Sequence, residues 1–308
     1  MRSTTPVRGY LAKLALLAGA YTAVLYLSLF LVPVGGSGAS LVWPPTVVAL
    51  TALLLFGVEL WPALLVPCFI FLLAGGVVPP AAAGVALANT LEALIGVYIL
   101  RRLDFGVMFG RLQDALVFVL AALVSTLFSA TTVALVLYIF HGTSFGPLWL
   151  GLWIGHAVSL LFLGPLLIRS TYKPFFTRTT LQWVEGAGII GLIFALSIFI
   201  YWTPYSSIGS VSLLYISIVP LIWVALRMGP RGISLALAGI GLIATTGVLF
   251  GGVFGTGEHS PQILFGVQFI IGILSLIFLL PLSRSAKTQL LHCAAMSTNS
   301  RSRSIKSA

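Results

Sequence analysis

The sequence predicts an all-α, polytopic membrane helix bundle, and three observations carry that prediction. Hydrophobic residues make up 59% of the 308-residue chain and charged residues 7%, against about 25% charged in an ordinary soluble domain. Mean hydropathy is +1.12, so the chain has too little polar surface to cover itself in water. Finally, apolar runs follow one another along nearly the whole length, separated by Pro, Gly and charge.

Ten such runs can be drawn: Tyr10–Val32, Leu41–Gly57, Trp61–Val78, Pro80–Leu100, Asp114–Phe140, Pro147–Ile168, Val184–Trp202, Val211–Leu226, Gly232–Phe250 and Pro261–Leu282. The first is too long for the apolar part of a signal peptide and reads as an uncleaved span. The second, third and eighth are short, and call for little tilt or a thin local bilayer. Trp43, Pro44 and Pro45 open the second run. Prolines at a helix start sit where a missing N–H costs least, so the block is expected to fix how this span enters from outside. Trp43, Trp149 and Trp202 are expected at the outer interface, and Trp61 and Trp183 at the inner one.

Basic residues order the runs. Arg2, Arg8 and Lys13 lie at the first run, and Arg101, Arg102 and Arg111 between the fourth and fifth. Arg169, Lys173 and Arg178 follow the sixth, Arg227 and Arg231 separate the eighth and ninth, and the remaining five follow the tenth. All 16 Lys and Arg therefore fall on one side, and the opposite segments (PVGGSGAS, GVVPP, HGTSFG, TPYSSIGS, GGVFGTGEHS) hold none. By the positive-inside rule this predicts ten spans with both termini cytoplasmic, eight being the fallback. Residues 1–9 then form a cytoplasmic N-terminus and 10–282 the transmembrane domain. Residues 283–308 form a basic, Ser-rich tail expected to be disordered at the inner leaflet. The location is the inner (plasma) membrane, and the lipid bilayer is the first partner. The net charge of +10 is explained by this partition, so nucleic-acid binding is not expected.

The polar residues inside the runs are the candidate site. A charge at the bilayer centre costs about 2.5–3.5 kcal/mol on insertion scales, so an intramembrane carboxylate is a functional hypothesis by default. Glu92 is that residue. Asn89, Glu92 and Gly96 fall at i, i+3, i+7 and share one helix face with small residues Gly84 and Ala88, which allow close helix approach. At ~1.5 Å per residue, Asn89, Glu92, His156, Ser129 and Thr132 share a level roughly 12–18 Å below the outer surface. Thr90 joins the candidate set as part of the Asn-Thr-Leu-Glu block. Burial and a charged imidazole would compete over the Glu92 proton, which suits a ligand, ion or proton site. The alternatives are a polar clamp that only fixes helix packing, or no contact at all. Weaker candidates are Glu59 in an inner turn, His141 and Glu258/His259 in outer segments, Thr245/Thr246, and Gln268. Spans two to four also echo spans eight to ten, with Glu92/Gly96 matched by Gln268/Gly272, as in transporter repeats.

No paired carboxylates, phosphate loop, nucleophile–base arrangement or metal-ligand cluster is present in the sequence, and two cysteines, Cys68 and Cys293, make no framework. Neither enzymatic activity nor a cofactor or metal is expected.

The stretches LVWPPTVVALTALLLFGVELWPALLV, ALANTLEALIGVYILRRL, LWLGLWIGHAVSLLFLGPLLI and VPLIWVALRMGPRGISLAL resemble the first type of the MASE family, bacterial membrane-associated sensor domains. The resemblance runs from about Leu11 to Leu282. It implies a multi-span input module, usually fused to a diguanylate cyclase, phosphodiesterase or histidine kinase domain. The pattern positions it carries over are Trp43, Pro44, Pro45, Asn89, Thr90, Glu92, Gly155 and Pro165. Where that pattern has an aspartate after the glycine of the sixth run, this chain has His156. The sequence ends 26 residues after the tenth run, so the expectation is a stand-alone copy whose signal passes to a separate cytoplasmic or membrane protein. A sensory function comes first. A secondary transporter with Glu92 as coupling site, and a structural membrane scaffold, are the alternatives. Homo-oligomerisation is left open.

Overall fold

A computed structural model of the chain describes residues 5–29, 42–109, 111–170, 180–202 and 218–249. The tenth run, the tail, Glu258, His259, Gln268 and Cys293 lie outside the described residues. Among those described every regular element is helical: α1 (Thr5–Ser28), α2 (Pro44–Phe56), a 3-10 turn (Val58–Leu60), α3 (Pro62–Ala74), α4 (Pro79–Arg102), α5 (Leu112–His141), α6 (Phe145–Ser170), α7 (Thr180–Trp202) and α8 (Ile218–Leu249). Four are long and apolar enough to cross a bilayer: α4, α5, α6, and α1 over Gly9–Ser28.

Local chemistry sets the helix ends. Prolines occupy the first positions of α2, α3 and α4, where the helix has no partner for an N–H. Gly57 leaves α2 at φ 119°, and a Cβ there would strike the Glu59 carboxylate, so only glycine fits. The α4–α5 connection is tied down by charge. Asp114, third residue of α5, accepts from the Arg111 backbone N–H at 2.8 Å and the Gly106 N–H at 3.0 Å. The Arg111 guanidinium bridges Asp114 (2.9 Å) and Asp104 (3.1 Å), and these two hold it charged beyond its already high ordinary value. Phe105, Phe109 and Phe118 pack ring against ring beneath this clasp.

Helix α4 is the hub, packed against α2, α3 and α5, while α6 joins α2 and α5 to α8. Two large apolar cores result among the described residues, beside a small third one around Val85, Ala88 and Val133. One lies among α1–α6 around Leu50, Leu53, Phe118 and Leu160, the other between α6, α7 and α8 around Phe162, Ile193 and Ile240. Small residues permit the close approaches. Gly96 faces Leu50 and Ser125, Gly84 faces Val136, and Gly164 faces Phe118.

The described parts of the eighth and ninth runs, expected as two spans parted by an inner loop, lie in one helical element, α8. It is not straight. A Cβ on Gly232 would sit 3.3 Å from Val224 Cγ1, whereas eight residues of straight helix advance about 12 Å. The chain therefore bends sharply within Met228–Gly232, at the Gly-Pro pair, while helical geometry carries through. Met228 lies at Gly186, near the start of α7, and Gly239 at Phe194, further along it. The second half of α8 thus runs in the same direction as α7.

Gly96→Val should destabilise the bundle by about 1–3 kcal/mol through overpacking against Leu50. Adding Leu50→Ala should recover part of that loss, as read by thermal unfolding in detergent.

Candidate functional site

The buried polar layer forms where α2, α4 and α6 meet. His156 Nδ1 lies 2.9 Å from Glu92 Oε2 and 3.1 Å from Thr46 Oγ1. Glu92 and His156 are 2% and 4% exposed, and Glu92 Oε1 has no hydrogen-bond partner among the described residues. The Trp43 ring stacks on the imidazole, with centroids 6.1 Å apart and planes within 5°. Tyr21 of α1, fully buried, lies within electrostatic range of both Cys68 and Glu92.

A second group flanks the first. Ser129 donates to Asn89 Oδ1 at 3.3 Å, and Asn89 Nδ2 donates to Cys68 Sγ at 3.6 Å. These three line a cavity of about 150 Å³ whose other walls include Trp43, His156, Phe71, Val133 and Leu152. His156 belongs to both groups. Its Nδ1 is engaged by Glu92 and Thr46, and its Nε2 makes no hydrogen bond among the described residues while the ring lines the cavity.

The structure thus brings together Glu92, His156, Asn89 and Ser129. Two other candidates fall outside the layer, because neither depth, which suggested Thr132, nor the sequence block that brought in Thr90 fixes a side chain's direction. Thr90 is two residues, about 200° of helix, from Glu92, and its hydroxyl bonds Ala86 O of its own helix at 2.8 Å. Thr132 likewise back-bonds to Phe128 O, while its neighbours Ser129 and Val133 face the cavity. Gly96 acts as the spacer that admits Leu50, and Pro165 is buried inside α6. Glu59 is exposed and forms no ion pair among the described residues.

Thr46 was not foreseen, and the placement of Trp43 at the outer interface is corrected. Thr46 shares the imidazole with Glu92, so the two are level. Yet Thr46 is the third residue of α2, whereas Glu92 stands about 20 Å along α4 at 1.5 Å per residue. Helix α2 therefore begins at the depth where α4 is half-way through. A helix start buried there strands up to four N–H groups. Pro44 and Pro45 remove two, Thr46 N–H bonds Trp43 O at 3.3 Å, and Trp43 N–H bonds Ser159 Oγ at 2.7 Å. The Trp-Pro-Pro block is thus a helix start suited to a dry interior. It also turns the positive end of the α2 dipole toward the layer that holds Glu92. The signal available in the sequence was the double proline followed at once by threonine.

Fold and site define an all-helical membrane domain with a buried acid–imidazole pair beside a small cavity. The MASE1 family model matches residues 11–286, and the chain belongs to that family, a membrane-associated sensory domain. No curated protein and no solved structure matches the chain.

Two outcomes are expected. Removing either member of the acid–imidazole pair should be costly, and the pair Glu92→Ala with His156→Ala should lose less than the sum of its singles, by on the order of 1 kcal/mol. Pro45→Ala restores a buried N–H without a partner and should cost about 1–3 kcal/mol; equilibrium unfolding in detergent reads both.

Proposed function

We propose that this domain senses a small, largely apolar molecule carrying one hydrogen-bonding group, held in the cavity beside His156. The observation that carries this reading is the double use of His156, whose Nδ1 meets Glu92 and Thr46 while its ring lines the cavity. A cavity of about 150 Å³ is the size that holds a benzene-sized molecule, well under the space a drug-sized ligand needs.

The imidazole gives the cavity two faces. With the Nδ1 proton donated to the Glu92 carboxylate, a neutral ring presents a lone pair at Nε2. With Nδ1 accepting from the Thr46 hydroxyl or from a protonated Glu92, the ring presents Nε2–H instead. A donor ligand favours the first arrangement and an acceptor ligand the second. The ligand therefore biases where the Glu92–His156 proton rests, and with it how α2, α4 and α6 pack. This difference in affinity for two packings is what a sensor requires. The domain acts by binding rather than by catalysis in this reading.

The segregation of all 16 Lys and Arg and the bend of α8 between Arg227 and Arg231 support ten spans in the plasma membrane with both termini cytoplasmic. The signal then passes to a separate partner at the Arg101–Asp114 and Arg169–Arg178 connections.

The test is thermal unfolding of purified protein against a panel of small neutral molecules. At 100 times its dissociation constant a true ligand adds about 2.7 kcal/mol. The shift should vanish in Val133→Phe, which fills the cavity, and in His156→Phe, which removes the polar face. A ligand that stabilises both variants as well as wild type would sink the assignment. For topology, cysteines at Lys173 and at Gly142 should label from opposite sides of the membrane.

A further inference from the structure

A second candidate site lies at the other end of α4, away from the polar layer. Leu94, Val97, Tyr98 and Arg101 follow the i, i+3, i+4, i+7 pattern of one helix face, and Arg102 closes its end. With Val58 they line an open groove of about 500 Å³. Tyr98 is 67% exposed, and both arginines are exposed. Arg101 Nη2 reaches Leu53 O of α2 at 3.4 Å, so the C-terminal ends of α2 and α4 lie together here. Neither arginine forms an ion pair among the described residues, and Glu59, next to Val58 in the chain, contacts neither within ion-pair distance. Each helix end contributes about half a negative charge. These partial charges do not neutralise two guanidiniums, and no carboxylate pairs with either among the described residues, so the groove end suits a phosphodiester.

We propose that this groove holds one anionic phospholipid. The phosphate sits on Arg101 and Arg102, the Tyr98 ring lies at the head-group boundary, and an acyl chain follows Leu94 and Val97 toward the bilayer centre. Guanidiniums suit this role because their fixed N–H fork matches phosphate oxygens. An apolar track continuous with the cationic end selects a lipid over a free phosphate, which has nothing to place along Leu94. The proposal rests on α4 crossing the bilayer and not on which side its arginines face.

The test is native mass spectrometry of the full chain in mild detergent, titrated with phosphatidylglycerol, phosphatidylcholine or inorganic phosphate. Wild type should favour phosphatidylglycerol over phosphatidylcholine by about fivefold for each arginine engaged. Arg102→Gln, which removes no hydrogen bond seen among the described residues, should lose about fivefold of that preference. Arg101→Gln with Arg102→Gln should bring the two lipids near parity. Leu94→Trp, which blocks the track and leaves the charges, should lower occupancy by both lipids. Equal retention of the two lipids by wild type overturns the proposal, as does an unchanged preference in Arg102→Gln. Inorganic phosphate that competes fully with the lipid, and does so equally in Leu94→Trp, would make this a bare anion site. Because the measurement is made in detergent, its failure is distinct from failure of the topology, which the cysteine labelling reads separately.

Discussion

A carboxylate placed half-way through an apolar bundle must be answered by another polar group, and Glu92 is answered by His156. The contact is 2.9 Å between two side chains almost wholly buried. Desolvation of this kind is compensated only when the partner is held in good geometry. That requirement reaches outward through the fold. It sets α4 and α6 level, and it draws in Thr46, so α2 must begin at the same depth. Around the pair, Gly96, Ala93 and the alanines of α4 keep the neighbouring helices close enough to exclude lipid. One carboxylate oxygen, Glu92 Oε1, has no hydrogen bond among the described residues, so among them the pair is held tightly on one side only. Such an arrangement is less a rivet than a balance.

Helix α2 shows how a helix can start inside a bundle. The usual solution, a capping side chain for each free N–H, would add polar atoms to the apolar interior. Here the donors are deleted by Pro44 and Pro45, and the last two find Trp43 O and Ser159 Oγ. The helix contributes its dipole without contributing unmet hydrogen bonds. Discontinuous helices that aim their N-terminal ends at a mid-membrane site are a recurring device in membrane proteins, and the cluster of Trp43, Thr46 and His156 is a local instance.

Hydropathy and punctuation alone located α1 to α7 to within a few residues, because helix length against bilayer thickness is a strong constraint. Counting residues from the run ends also placed Glu92, His156, Asn89 and Ser129 on one level. The same count misread Trp43 and left Thr46 out, because it began α2 at the surface. Depth carries no angular information, which is why Thr132 was drawn in, and the Asn-Thr-Leu-Glu block brought Thr90 with it; both hydroxyls bond back to their own helices. The bend in α8 shows the opposite limit. The Gly-Pro pair signals a break in direction, yet helical geometry persists through it, so the run pattern and the secondary structure divide this segment differently. The cavity was beyond reach, since a void depends on how side chains of five helices fail to fill the space between them.

Helix α6 carries His156 on one side and Phe162 on another, six residues further along and about 240° around the axis. Phe162 lies in the second core, against Gly241 of α8 at 3.0 Å from where a Cβ would stand. One rod is therefore a load-carrying member of two separate packings, and a rod does not turn on one side only. A rotation of about 10° at a side-chain radius of ~5 Å displaces both residues by roughly 1 Å, in directions set by their positions around the axis. Close-packed interiors do not absorb such a step smoothly; they change arrangement. The imidazole and the phenyl ring thus ride on one helix, and any turn of α6 would displace both.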